Sequence, residues 1–298
     1  MTIQWKGVFP ACTTQFRSDE SLDLEATGTH LRVLMNSGVT GLVIGGSLGE
    51  NQTLSPEEKR ELIRFGVETA SGRVPVIAGV AETSTSAAVR YVRDIAELGA
   101  AGIMLMPPMC YRGDARESTH YLRTVAREGG LPVMVYNNPL SYSNDITPAL
   151  FAELADEPGL VAIKESSGDP RRITEIRNAV GSRYALFTGV DDLLLEASIL
   201  GIDGWVAGTG IAFPRENQRL WELTRAGEWD KARELYRWFQ PLLKLDTHAH
   251  FVQYIKLCLQ ETGLGSEWVR APRLTLAGTE REQVLAIIRA GIASRPGE

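Results

Sequence analysis

The chain has 298 residues, a formal charge of −6 and a pI near 5.4, with 44% hydrophobic and 23% charged residues. That suits one large domain, or a large one plus a small one, around a sizeable core, and the acidic balance without a basic run argues against a nucleic-acid surface. No apolar segment is long enough to span a bilayer, and residues 1–7 lack the basic head and apolar core of a signal peptide. Cys12, Cys110 and Cys258 are far apart, odd in number and without metal-ligand spacing, so they read as reduced thiols and the expectation is a cytoplasmic protein.

In chain order, short apolar runs alternate with helix-like stretches. Residues 8–12 read as a strand, 22–36 as a helix stopped by Gly38, and 41–46 as a second strand. Ser55-Pro56-Glu57-Glu58 opens the next helix with a capping serine, proline at the first helical position and a glutamate three residues after the cap. Strands follow at 74–80, 103–106, 132–136, 160–164, 185–189 and 204–208. The helices between them are predicted at 84–98, 117–127, from Thr147-Pro148, from Asp169-Pro170 to 180, at 192–200 and at 214–225. Eight parallel strand–helix units without a second strand type predict a closed (β/α)8 TIM barrel over residues 1–226, since closure removes the sheet edges; an open doubly wound sheet is the alternative. From 227 to 298 the rhythm changes to three amphipathic helices, at 229–243, 249–261 and 281–290, expected to pack on the barrel or on a neighbouring subunit.

The loops after the strands of such a barrel form the active face. Lys164 stands at the end of an apolar strand, whereas Lys6, Lys59, Lys231, Lys244 and Lys256 lie at the amino terminus or in helix-like segments. Desolvation there lowers an amine's pKa toward neutrality and makes it a nucleophile for a carbonyl; the plainer reading is a pair with Glu165 closing a strand end. The glycine-rich turn Gly45-Gly46-Ser47-Leu48-Gly49-Glu50 offers backbone N–H groups and a hydroxyl to an anion, or is a tight turn needing positive φ. Tyr136, on the strand beside Lys164, is either a core aromatic or a proton shuttle. His248-Ala249-His250 is not expected to bind a metal, because alternate positions do not share a helix face; His30 and His120 are expected to be solvated, and Asp191-Asp192 to cap a helix.

Four motifs, in order, carry a resemblance over essentially the whole chain: Gly46-Ser47-Leu48-Gly49-Glu50 with Leu54-Ser55-Pro56-Glu57-Glu58, Tyr136-Asn137-Asn138-Pro139, Ile163-Lys164-Glu165-Ser166-Ser167-Gly168 and Gly189-Val190-Asp191-Asp192. They resemble the dihydrodipicolinate synthase / N-acetylneuraminate lyase family of class I aldolases. The resemblance implies a barrel with a C-terminal three-helix segment, a homotetramer built as a dimer of dimers, a small 2-oxo acid or imino acid substrate and no cofactor or metal. It makes Lys164 the Schiff-base lysine and Tyr136 the proton-transfer tyrosine, with Ser47 assisting. It puts Ser47 and Leu48 at the substrate carboxylate and Val206 beside the bound keto acid, with Asn138, Ser141 and Gly189 in or beside the substrate-binding motifs.

Three departures bear on the substrate. Leu48 stands where most members have threonine, Cys110 falls on the family's relay tyrosine with Tyr111 one residue away, and Ser141 falls where the synthase has an arginine for its second carboxylate. These disfavour dihydrodipicolinate synthase itself. The tail, with Trp238-Phe239-Gln240-Pro241, Gln253-Tyr254-Ile255-Lys256-Leu257 and Arg270-Ala271-Pro272-Arg273, is similar to the Δ1-pyrroline-4-hydroxy-2-carboxylate deaminases of hydroxyproline breakdown. The expected activity is a deaminating, dehydrating Schiff-base lyase. The alternatives are a retro-aldol lyase releasing pyruvate and a non-catalytic 2-oxo-acid sensor or scaffold.

Overall fold

The computed structural model describes residues 3–108 and 111–297; Cys110 therefore lies outside the described residues. The strands are β1 (Gly7–Val8), β2 (Leu42–Ile44), β3 (Val76–Val80), β4 (Gly102–Leu105), β5 (Val133–Asn137), β6 (Leu160–Glu165), β7 (Ala185–Thr188) and β8 (Gly204–Trp205). The barrel helices are α1 (Leu24–Asn36), α2 (Pro56–Ala70), α3 (Thr85–Glu97), α4 (Ala115–Gly129), α5 (Pro139–Tyr142), α6 (Pro148–Glu153), α7 (Arg171–Val180), α8 (Leu194–Ile199) and α9 (Pro214–Ala226). After them come α10 (Trp229–Leu243), α11 (Phe251–Glu261) and α12 (Gly278–Ala293).

All ladders are parallel, in the order β1-β8-β7-β6-β5-β4-β3-β2. The seam between β1 and β2 is also bonded: Thr40 N–H donates to Val8 O at 2.9 Å, Val43 N–H to Pro10 O at 3.0 Å and Cys12 N–H to Val43 O at 2.8 Å. The sheet therefore closes, as the alternation of strands and helices predicts, and the open-sheet alternative falls. Pro10, which lacks a ladder donor, shortens β1 relative to the predicted 8–12.

Strands buried on both faces explain the near-continuous apolar runs, each fully covered Val, Leu or Ile contributing about 1.5–3 kcal/mol. Phe9 and Phe187, both fully buried, meet edge to face at 5.2 Å. Ser55 makes the predicted capping box: its Oγ accepts from Glu58 N–H at 3.2 Å, and Glu58 Oε2 accepts from Ser55 N–H at 2.8 Å. The C-terminal helices pack on the barrel, α10 against α9, with the 3-10 turn Lys244–Thr247 against the loop that follows β7.

Candidate active site

Lys164 and Tyr136 are register partners on neighbouring parallel strands, so they share a face; the next pair, Asn137 and Glu165, faces the other way. Lys164 Nζ lies 3.9 Å from the centroid of the Tyr136 ring, and Phe187 is the lysine's register partner on the other neighbouring strand. Glu165 does not pair with the lysine: its carboxylate accepts from Asn137 Nδ2 at 2.9 Å and from Ser167 N–H at 2.7 Å. The pair with Glu165 that the sequence left open is therefore not formed. Burial lowers the amine's pKa, opposed by the charges of Asp246, Tyr142 and Asp191. Burial likewise pushes the Tyr136 phenol up to about 12, offset in part by a hydrogen bond from Asn138 Nδ2 to the phenolic oxygen at 3.1 Å. At neutral pH this gives a protonated phenol beside an amine biased toward its nucleophilic form.

The loop after β2 completes one wall. Gly45 adopts φ +70°, a left-handed conformation that glycine takes at little cost, and Asn51 Nδ2 pins its carbonyl at 2.7 Å. Glu50 and Asn51 N–H groups return to the carbonyls of Ser47 and Gly46 at 3.0 and 3.2 Å. Among the described residues, the N–H groups of Ser47 and Leu48 are left without a protein acceptor, so they are able to receive an anion. Leu48's side chain is buried in the core.

Ser47 Oγ makes a short hydrogen bond with the hydroxyl of Tyr142, and Tyr142 packs edge to face on Tyr136 at 5.6 Å. Sequence reasoning missed Tyr142, which stands on α5, a single turn set up by Asn138, whose Oδ1 accepts from Ser141 N–H at 3.0 Å. Asn-Pro followed by a tyrosine three residues later was the available signal. Tyr111 is exposed, and its hydroxyl donates to Glu117 Oε1 at 2.8 Å. In this chain the hydroxyl contact to Ser47 comes from Tyr142.

Gly189 leaves room for the lysine, since a Cβ there would stand 2.2 Å from Lys164 Cε. Val206 is buried at the end of β8, its N–H on Thr188 O at 2.9 Å. Ser141 is exposed at the rim. Asp191 is not a cap on its own helix, as expected from sequence, but a buried brace for the next loop. It accepts from Trp205 Nε1 at 2.9 Å, Gly208 N–H at 3.0 Å and Thr209 N–H at 2.7 Å. Burial raises its pKa to about 6 against those bonds and the Lys164 charge.

The sequence profile of the dihydrodipicolinate synthetase family matches residues 4–291. The chain belongs to that family. A 4-hydroxy-tetrahydrodipicolinate synthase from Staphylococcus carnosus is 32% identical over 289 residues, which cover 95% of this chain and 96% of that protein. Another from Methanospirillum hungatei is 31% identical over 271 residues, covering 90% and 93%. The dihydrodipicolinate synthase structure from Bacillus anthracis superposes with a TM-score of 0.93 at 29% identity, covering 99% of this chain and 100% of that one. A prophage protein of the family from E. coli K12, solved with pyruvate, gives 0.89 at 27% identity, covering 96% and 98%.

Elsewhere in this dihydrodipicolinate synthetase family member, two histidine expectations need correction. His30 is buried, not solvated: its Nε2–H donates to Ile211 O at 3.0 Å, and burial lowers its pKa to about 4. His248 and His250 do come together, because they sit in the turn ahead of α11 and not within a helix; with Glu280 their ligand atoms lie within 4.8 Å of one another. Those atoms already serve each other: His250 Nδ1 meets Glu280 Oε1 at 2.7 Å, and His250 N–H donates to His248 Nδ1 at 3.1 Å. A cavity of about 1150 Å³ lies away from this chemistry, lined by Arg215, Trp238, Leu264 and Arg295 among others. The convergence of amine, phenols and anion cradle, not cavity size, marks the strand ends as the candidate site.

Proposed function

We propose that the protein is a Schiff-base lyase converting Δ1-pyrroline-4-hydroxy-2-carboxylate to 2,5-dioxopentanoate. The observation that carries this reading is the buried Lys164 amine on the Tyr136 ring, flanked by the Tyr142–Ser47 contact. Ser141, where the family's synthases carry an arginine, turns the reading away from a dicarboxylate-forming synthase. Lys164 attacks C2 of the cyclic imine, the C2–N bond breaks, and the ring opens as an enzyme-bound imine. The ring nitrogen leaves C2 with a proton and stays on C5 as an amine. Tyr136, in line with Tyr142 and Ser47, takes a proton from C3 and protonates the departing 4-hydroxyl, which leaves as water. The new double bond migrates to C5 as an imine; hydrolysis there releases ammonia, and hydrolysis at C2 frees the lysine. The net change consumes one water per ammonia released. The lysine itself supplies the electron sink.

Incubation with substrate and borohydride leaves a stable mass increase on Lys164. Absence of that adduct, or full activity in Lys164→Ala, overturns the proposal. A retro-aldol lyase releasing pyruvate is the second reading, supported by the E. coli K12 relative solved with pyruvate. Ammonia measured against pyruvate across a small substrate panel separates the two, and turnover on any keto acid excludes a mere sensor. The resemblance also supports a cytoplasmic homotetramer, which sedimentation of the purified protein tests.

A further inference from the structure

The C-terminal segment places a carboxylate at the mouth that the mechanism above does not use. The 3-10 turn Lys244–Thr247 follows α10; Leu245 is buried, and the Tyr236 hydroxyl donates to the Asp192 carbonyl, tying the segment to the loop after β7. Asp246 then reaches over Gly208 at the end of β8. A Cβ on Gly208 would stand 2.4 Å from Asp246 Oδ1, so only glycine admits the carboxylate there. Asp191 holds the N–H of that same Gly208 from its other side and spends its oxygens on protein donors. Asp246 is different. Among the described residues, no hydrogen-bond donor or ion-pair partner reaches its carboxylate; burial and the nearby Asp191 raise its pKa well above the usual carboxylate range, opposed by the Lys164 charge. A buried carboxyl with its acceptor capacity unspent, close enough for its charge to act on Lys164, is suited to a donor that arrives with the substrate.

We propose that Asp246 is the specificity-determining residue for the far end of the substrate, where its carboxylate accepts a hydrogen bond from a hydroxyl or amine and repels a second carboxylate. The inference rests on the Schiff-base reading above and deepens it. It selects monocarboxylates bearing hydroxyl or nitrogen groups beyond the imine carbon over dicarboxylic 2-oxo acids. It also complements Ser141, an exposed neutral residue where the family's synthases carry an arginine.

The test uses the full-length protein and Asp246→Asn, with Asp246→Ser as a second variant should the first fail to fold. Three readouts are compared: kcat/KM for Δ1-pyrroline-4-hydroxy-2-carboxylate, kcat/KM for the dicarboxylic 4-hydroxy-2-oxoglutarate, and borohydride trapping of pyruvate at Lys164. The variant is expected to lose about ten- to a hundredfold on the first, mainly through KM, and to shift the ratio of first to second at least about tenfold toward the dicarboxylate. Pyruvate trapping stays at least as fast as in the parent. An unchanged ratio overturns the assignment of Asp246. Loss of trapping in a folded variant also overturns it, since the residue would then act through Lys164. Failure of the parent to trap pyruvate sinks the Schiff-base reading instead, so the two failures are told apart. A measurement on the parent alone adds a check independent of folding: pyruvate should compete at least about tenfold better than 2-oxoglutarate, and equal competition counts against the proposal.

Discussion

Gly189→Ala tests the placement of the nucleophile without removing a polar group. The added methyl would lie 2.2 Å from Lys164 Cε, 2.8 Å from its Cγ and 2.3 Å from Ser166 Oγ. Carbon atoms in ordinary contact are about 3.5–4.0 Å apart, so the lysine must retreat by more than about 1 Å. The φ of Gly189 lies outside the left-handed region, which leaves crowding as the perturbation and not backbone strain. Because the lysine is flexible, the stability loss should fall in the usual overpacking range of about 1–3 kcal/mol. Catalysis should suffer more, since a misplacement of about 1 Å costs on the order of a hundredfold. The assay is the rate of borohydride-trapped pyruvate adduct at Lys164 by mass spectrometry, alongside urea unfolding midpoints. A folded Gly189→Ala protein that traps pyruvate at the parental rate refutes the reasoning, because the lysine could then not cross that glycine.

Two further outcomes follow from the same geometry. Tyr142→Phe removes the hydroxyl that meets Ser47; kcat on the hydroxy-pyrroline should fall about a hundredfold or more with KM within about twofold, and adding Ser47→Ala should cost little further if the pair acts as one unit. His30 concerns stability. Its folded pKa of about 4 lies below the ordinary 6.5, so its contribution is fully present above pH 6.5 and is lost as pH falls through 4, by about 3 kcal/mol. Urea midpoints between pH 4 and 7 should fall less steeply in His30→Gln, which keeps a donor for the Ile211 carbonyl; identical slopes would falsify the assignment.

The barrel was legible because strands buried on both faces leave uninterrupted apolar runs, and because each run ends in residues that suit a loop. The buried position of Lys164 beside Tyr136 was legible for the same reason: a lysine that ends such a run projects from an apolar wall. Tyr142 was not, since a four-residue helix carries no periodicity and its side chain is placed by Asn138 and the turn of α5. His30 was misjudged because one polar residue on a helix gives no sign that a carbonyl 181 residues away will accept its proton. The pairing of His248 with His250 depended on where α11 begins, and helix boundaries are the part of a pattern that residue spacing defines least.

The tail illustrates the same limit most fully, because its role at the site is made of contacts between distant parts of the chain. Lys256 of α11 forms a 2.6 Å ion pair with Glu50, both side chains fully buried, and Arg270 N–H donates to the other Glu50 oxygen at 3.1 Å. Glu50 adopts φ +55°, a conformation an L-residue holds only when its surroundings demand it. Breaking such a pair typically costs about 3–5 kcal/mol, so the clamp is strong enough to fix the glycine turn that presents the free N–H groups of Ser47 and Leu48. Ten residues before Lys256 the same segment sends Asp246 over Gly208 at the end of β8, on the other side of β1 from the glycine turn. Two walls of one site are thus held by a segment that sequence periodicity describes only as three amphipathic helices. A change in that tail can therefore alter chemistry at Lys164 while leaving every residue of the barrel in place.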